Sequence, residues 1–109
     1  MAKKDCRKGS TNIFSDLGFS TAEAEELLAK SVLIEAIADT IRRRDLTQAQ
    51  AANLCDTDQP TLSKVLRGRV ESVTIDRLAA WLTALGRSVE IRVRPYRAGA
   101  KTGQLTAAR

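Results

Sequence analysis

The stretch from Leu46 to Gly68, LTQAQAANLCDTDQPTLSKVLRG, constrains the fold of this chain more than any other. Thr47 followed by Gln50 has capping-box spacing, in which each side chain satisfies a backbone N–H next to the other residue. Asp58 is a strong N-cap, so one helix opens at Thr47 and a second at Asp58. On the first, Gln48, Ala51, Ala52 and Cys55 recur at helical spacing and line one face with small groups. A second helix can therefore approach closely and cross steeply. On the second, Leu62, Val65 and Leu66 form the apolar stripe. At ~100° per residue the opposite face carries Pro60, Lys64 and Arg67, flanked by Thr61 and Ser63.

Two short helices so arranged make a helix-turn-helix, with the second helix buried on one side and able to reach nucleic acid on the other. The segment resembles the Cro/C1-type (XRE) helix-turn-helix family, with Leu46, Thr47, Gln48, Ala52, Gln59, Leu62, Ser63 and Gly68 in register. It departs from that pattern where Cys55 replaces the usual Leu, Asp56 the usual Gly and Thr57 the usual Val or Ile. Asp at a position needing positive φ is better tolerated than most residues but costs more than Gly.

The resemblance covers about residues 12–95. NIFSDLGF at Asn12–Phe19, the acidic-to-basic helix after it and LTALGRSVEIRVRP at Leu82–Pro95 look like the small single-domain regulators that act as HigA-like antitoxins beside RelE/HigB-type toxins. That resemblance implies a DNA-binding repressor of its own operon that also binds a toxin. Spacing alone shows nothing of the toxin half. A stand-alone XRE repressor without a toxin partner is the alternative. A third reading uses the motif only as a packing scaffold in a protein-interaction module.

In a helix-turn-helix the second helix lies in the major groove of double-stranded DNA with its N-terminal residues at base edges. Gln59 suits adenine N6/N7 and Lys64 guanine O6/N7. Pro60 and the Thr61 methyl suit thymine methyls, and Ser63 offers a hydroxyl to groove or helix. Thr47 and Gln48 open the first helix, where amides suit a phosphate. Arg67 and Arg69 point on toward the backbone, and Arg42–Arg44 is a weaker candidate; each Arg also reads as an exposed, solvated charge.

Upstream, Ser20 and Glu23 make a second capping box at the head of a long helix. Glu23, Glu25 and Glu26 sit in its first turns and Arg42–Arg44 in its last, which suits the helix macrodipole. The same glutamates, with Asp16 before them, are the candidate surface for a basic toxin. Leu33, Ile34, Ile37, Ala38 and Ile41 form its buried stripe, and Ile13, Phe14, Leu17 and Phe19 are expected to pin the preceding segment to the core. Downstream, Thr74 caps a helix with Ile75, Leu78, Ala79, Leu82 and Leu85 inward, Trp81 at the core edge and Gly86 at C′.

Ser88–Arg94 changes period. Val89, Ile91 and Val93 alternate with Glu90, Arg92 and Arg94, a strand pattern that Pro95 stops. A lone strand leaves its backbone groups unpaired. The economical partner is the same strand of a second copy, which sets Glu90 across from Arg92, or Arg92 across from Arg94, depending on register. An edge on a partner protein and a frayed tail are the other readings.

The expected fold is an all-α compact helical bundle with a Cro/C1-type helix-turn-helix, plus one C-terminal β-strand paired across a homodimer. The expected divisions are a disordered basic tail at 1–11, the DNA-binding domain with its dimerisation strand at 12–95, and a disordered basic tail at 96–109. A formal charge of +5 in 109 residues fits a polyanionic partner. There is no His, no phosphate-binding Gly loop and no nucleophile beside a base, so no enzyme is expected. Cys6 and Cys55 make no disulfide framework or metal motif, and Cys55 reads as a small buried hydrophobe. No metal or cofactor is expected. Nor is a membrane partner: no apolar core follows the basic N-terminus, and VLIEAIA is too short to span a bilayer. The expected location is cytoplasmic, on the nucleoid.

Overall fold

The computed structural model describes residues 17–109. Among them are four α-helices: α1 (Thr21–Arg43), α2 (Gln48–Leu54), α3 (Gln59–Leu66) and α4 (Ile75–Ala84), with a 3-10 turn at Val70–Ser72 before α4. Each helix starts where a short polar side chain can take up an orphan amide. The Ser20 hydroxyl accepts from the Glu23 amide at 3.2 Å and the Glu23 carboxylate accepts from the Ser20 amide at 3.1 Å. Thr47 and Gln50 repeat the box at 3.0 and 2.9 Å. The Asp58 carboxylate accepts from the Thr61 amide at 2.7 Å, and the Thr74 hydroxyl from the Arg77 amide at 3.3 Å.

The four helices also end alike. Asp45, Asp56, Gly68 and Gly86 all have positive φ, at 56°, 56°, 101° and 98°. The next amide then reaches back one turn: Leu46 to the Ile41 carbonyl, Thr57 to Ala52, Arg69 to Lys64 and Arg87 to Leu82, at 2.9–3.2 Å. These are Schellman endings, which satisfy carbonyls the helix would leave unpaired. Two use glycine, expected at Gly86. Two use Asp, which enters the left-handed region at a cost glycine does not incur.

Ile37, Leu62, Val65, Leu78 and Leu85 are fully buried where α1, the α2–α3 pair and α4 meet. Ala51 and Ala52 on α2 are buried, so α2 and α3 cross closely. Cys55 is buried as expected, its thiol donating to the Trp81 carbonyl at 3.8 Å, and burial pushes its pKa up. Trp81 is itself buried within the core cluster. Long-range polar contacts tie the ends together. Arg44 donates to the Leu85 carbonyl at 2.9 Å and Arg87 to the Thr40 hydroxyl at 3.0 Å, joining the C-terminal ends of α1 and α4. Lys30 is buried, with Nζ donating to the Val70 carbonyl at 3.2 Å and lying 3.3 Å from the Glu26 carboxylate.

Three expectations change. First, helices are the regular elements among the described residues, and Ser88–Arg94 forms no strand. Its backbone has no ladder partner within one chain, so Ile91 and Val93 stand 84% and 89% exposed. Glu90 and Arg92, expected to pair across a two-fold axis, instead pair with each other at 2.8 Å. Second, Leu17 is 70% exposed and pins nothing to the core, where α1 already presents Leu27, Ile34, Ile37 and Ile41. Third, Leu33 and Ala38 are only half-buried, because the inward stripe of α1 leans toward Leu27 and Thr40. The N-terminal tail at 1–11, Cys6, Ile13, Phe14 and Asp16 lie outside the described residues. Residues 96–109 form no helix or strand, and their end returns to α1. There the Leu105 amide donates to the Glu25 carboxylate at 3.2 Å and Arg109 donates to Asp39 at 3.2 Å.

Candidate nucleic-acid interface

The apolar stripe of α3 decides what its other side presents. With Leu62 and Val65 buried and Leu66 half-buried, Gln59, Pro60, Lys64 and Arg67 are left exposed. Thr61 and Ser63 sit half-buried at the borders of that face. Pro60 stands in the first turn, where a missing N–H costs no helical bond. Asp58 precedes the helix, and the hydrogen bond from the Thr61 amide holds its carboxyl below the ordinary carboxylate range. Lys64, one turn further on, favours the same ionised state.

The first helix of the motif adds the exposed Thr47 and Gln48. The amide and hydroxyl of Thr47 are both taken by Gln50, so the Gln48 side chain is the group that can reach outward. Arg69 follows Gly68 on the surface; its carbonyl accepts from the Ser72 hydroxyl at 2.8 Å, which stiffens the loop after α3. Lys30 holds the same loop from below through Val70. All nine residues expected at the DNA face are therefore exposed or half-buried, and none is buried in the core.

Pairing separates the cations of this chain. Arg42 and Arg43 are bound to Asp39 at 2.6 and 2.8 Å, Arg44 to a helix-end carbonyl, Arg87 to Thr40, Arg92 to Glu90 and Arg109 to Asp39. The side chains of Lys64, Arg67 and Arg69 make no ion pair or hydrogen bond with any described residue. The basic run Arg42–Arg44 is thus occupied with structure, whereas Lys64, Arg67 and Arg69 stand unpaired among the described residues, as do Arg77 on α4 and Arg94, Arg97 and Lys101 beyond it.

Sequence reasoning missed Arg77. It is exposed on α4 and, with Asn53, Asp56, Thr57, Asp58 and Thr61, lines a shallow dent beside the α2–α3 turn. The only signal for it was its place three residues after the Thr74 cap. Among the described residues no group of three or more His, Cys, Asp or Glu can hold a metal ion, and no helix is long and apolar enough to cross a membrane.

Comparison with known proteins agrees with this geometry. The profile of a family described as a helix-turn-helix domain, HTH_37, matches residues 13–94. A solved structure described as an XRE-family transcriptional regulator is similar at 30% identity with a TM-score of 0.69, over 79% of this chain and 97% of that one. No curated protein matches. A match over most of the chain, with an aligned fold at that identity, makes this protein a member of the XRE family of helix-turn-helix domains.

Proposed function

We propose that this protein is a sequence-specific DNA-binding transcriptional repressor that acts as a homodimer. The observation that carries the reading is the outward face of α3, where Gln59, Pro60, Lys64 and Arg67 are exposed and the cations lack partners within the described chain. A solvated cation cluster on a rigid, doubly capped helix suits phosphates and base edges, since neither has to break an internal contact first. The dimer rests on the alternation of Val89, Ile91 and Val93 with charged residues and on the exposure of Ile91 and Val93. Antiparallel pairing of Val89–Arg94 with a second copy covers both and satisfies the backbone. Two reading helices then engage a palindrome whose half-sites lie ~34–36 Å apart.

The decisive experiment is a gel shift on the promoter of the protein's own operon against a scrambled duplex. Specific retention of the promoter supports the repressor; salt-sensitive retention blind to sequence rejects it.

The same reading extends to an antitoxin that neutralises a RelE/HigB-type toxin, supported by the resemblance of residues 12–95 and by the acidic start of α1. One observation favours the alternative of a stand-alone regulator. Glu23 completes a capping box, Glu25 accepts the Leu105 amide and Glu26 pairs with Lys30, so each glutamate already has a role within the chain. Changing Glu23, Glu25 and Glu26 together to Lys, in co-expression with the product of an adjacent toxin-like reading frame, separates the two. Loss of growth protection with operator binding intact supports the antitoxin at this patch; full protection removes these glutamates from the toxin contact.

A further inference from the structure

The face of α1 that points away from the core is not simply a solvated surface. Glu25, Leu28, Val32, Glu35 and Asp39 fall on one stripe at steps of three and four, opposite Leu27, Ile34, Ile37 and Ile41. On a helix exposed along that side these residues would all stand in solvent, yet Glu25, Val32 and Asp39 are half-buried, with only 15% of the Asp39 side chain accessible. Residues 105–109 reach the two ends of this stripe, where Asp39 is also held by Arg42 and Arg43, while Leu28 and Glu35 between the ends stay exposed. The Leu105 amide donates to Glu25 Oε1 at 3.2 Å and Arg109 Nη2 donates to Asp39 Oδ2 at 3.2 Å. Every residue from Glu90 to Thr106 is exposed, whereas Ala107, between those anchors, is half-buried.

The spacing fits an extended segment running parallel to the helix. Glu25 to Asp39 spans ~21 Å of helix at ~1.5 Å per residue. Leu105 to Arg109 spans ~13–14 Å when extended, and the side chains of Glu25 and Arg109 cover the rest. Ala107 and Arg109 alternate, so an extended chain turns both to the same side, whereas Leu105 meets α1 through its backbone amide and keeps an exposed side chain.

We propose that this stripe is a docking groove for an extended peptide segment that offers Glu25 a backbone amide and carries a small residue and an arginine at alternate positions. In the isolated chain it is filled by residues 105–109. The tail is then a built-in competitor, and a basic partner protein docks by displacing it. This rests on the antitoxin reading for the identity of the partner. The groove itself rests on the seated tail and on the charge match between Asp39, Glu25 and the incoming segment. A segment tethered to the body behaves as a ligand at about millimolar effective concentration. The groove therefore admits a partner only when the partner's segment binds more tightly than the tail.

The test uses the full chain and a labelled peptide of residues 103–109, GQLTAAR. Its binding is followed by fluorescence anisotropy to wild type, to Arg109→Ala, and to Arg109→Ala combined with Asp39→Asn, with helical content checked by circular dichroism. Weakening the chain's own tail should tighten peptide binding severalfold, and Asp39→Asn should cancel that gain. Glu25→Gln in the Arg109→Ala chain should also cancel it, which guards against an indirect effect on Arg42 and Arg43. Equal binding to all the proteins overturns the proposal. So does a gain that survives both acidic substitutions, or a tail contact that appears only as chain concentration rises, since that would place the tail on a second copy. No toxin enters this titration, so it decides the groove even where the co-expression assay rejects the antitoxin.

Discussion

The helical body from Thr21 to Leu85 and the segment beyond Gly86 differ in where their backbone groups find partners. In the body each helix starts on a side chain three residues from the amide it caps, and each ends on a residue of positive φ that returns the next amide to the last turn. Beyond Arg87 the described backbone makes one turn, Ala100 to Arg97 at 3.2 Å, and then one long reach from Leu105 to Glu25. The body is closed by bonds a few residues long, so it holds in a single chain. The tail segment closes only on something distant, either α1 or another molecule.

Core truncation should show the comparison at its largest. Leu62→Ala removes a fully buried side chain between α3 and the core and should cost ~2–5 kcal/mol in a urea titration. If it costs no more than Ile91→Ala, the body is not held by this core.

At the DNA face the expected effects are smaller and of two kinds. Lys64→Ala should cost ~1–3 kcal/mol of operator binding and relax preference at one base pair. Arg67→Ala should weaken all sequences alike and reduce the salt slope. Identical profiles for the two would merge reading and positioning into one undifferentiated patch.

The caps sharpen the contrast next. Thr74→Ala should lower stability by ~0.5–2 kcal/mol, because its hydroxyl serves the Arg77 amide. Asp58 adds a pH signature. Its pKa is lower in the folded chain, since the carboxylate accepts the Thr61 amide. Its contribution is therefore fully present above the unfolded pKa of ~3.9 and is lost as pH falls through the folded value. Asp58→Asn keeps a cap and should flatten that acid limb in denaturation curves taken between pH 2 and pH 6. An unchanged limb would assign it to other carboxylates, Asp39 first.

The smallest effect on stability is expected at Ile91. Because it is exposed and unladdered, Ile91→Pro should change chain stability by no more than ~0.5 kcal/mol. In the proposed dimer the same change removes a strand donor, so sedimentation should report a monomer and operator affinity should fall. A dimer that survives places the interface elsewhere.

Much of the candidate site was legible before any coordinates. Capping boxes at Ser20 and Thr47, caps at Asp58 and Thr74, and the left-handed residue at Gly86 are written in types and spacings confined to one or two turns, and Asp56 was legible only through the family pattern. The exposed face of α3 follows from the stripe Leu62, Val65 and Leu66 by rotation alone. Ser88–Arg94 forms no strand in the single chain because alternation reports a preference for extended backbone, whereas a strand needs a second backbone to pair with. Asp45 was missed as a helix end because its positive φ has no sequence marker as strong as glycine.

The sequence by itself determined where the helices begin and which side of α3 stays wet, because those outcomes depend on groups within about a turn of each other. Only the tertiary structure decided how the remaining charges are used. Lys30 is buried against a carbonyl 40 residues away, Arg44 caps one 41 away, and Glu25 accepts an amide 80 away. No local pattern encodes such pairs. The first two form when α1 packs against the 3-10 turn and α4, where burial makes leaving them unpaired costly, and the third closes at the surface.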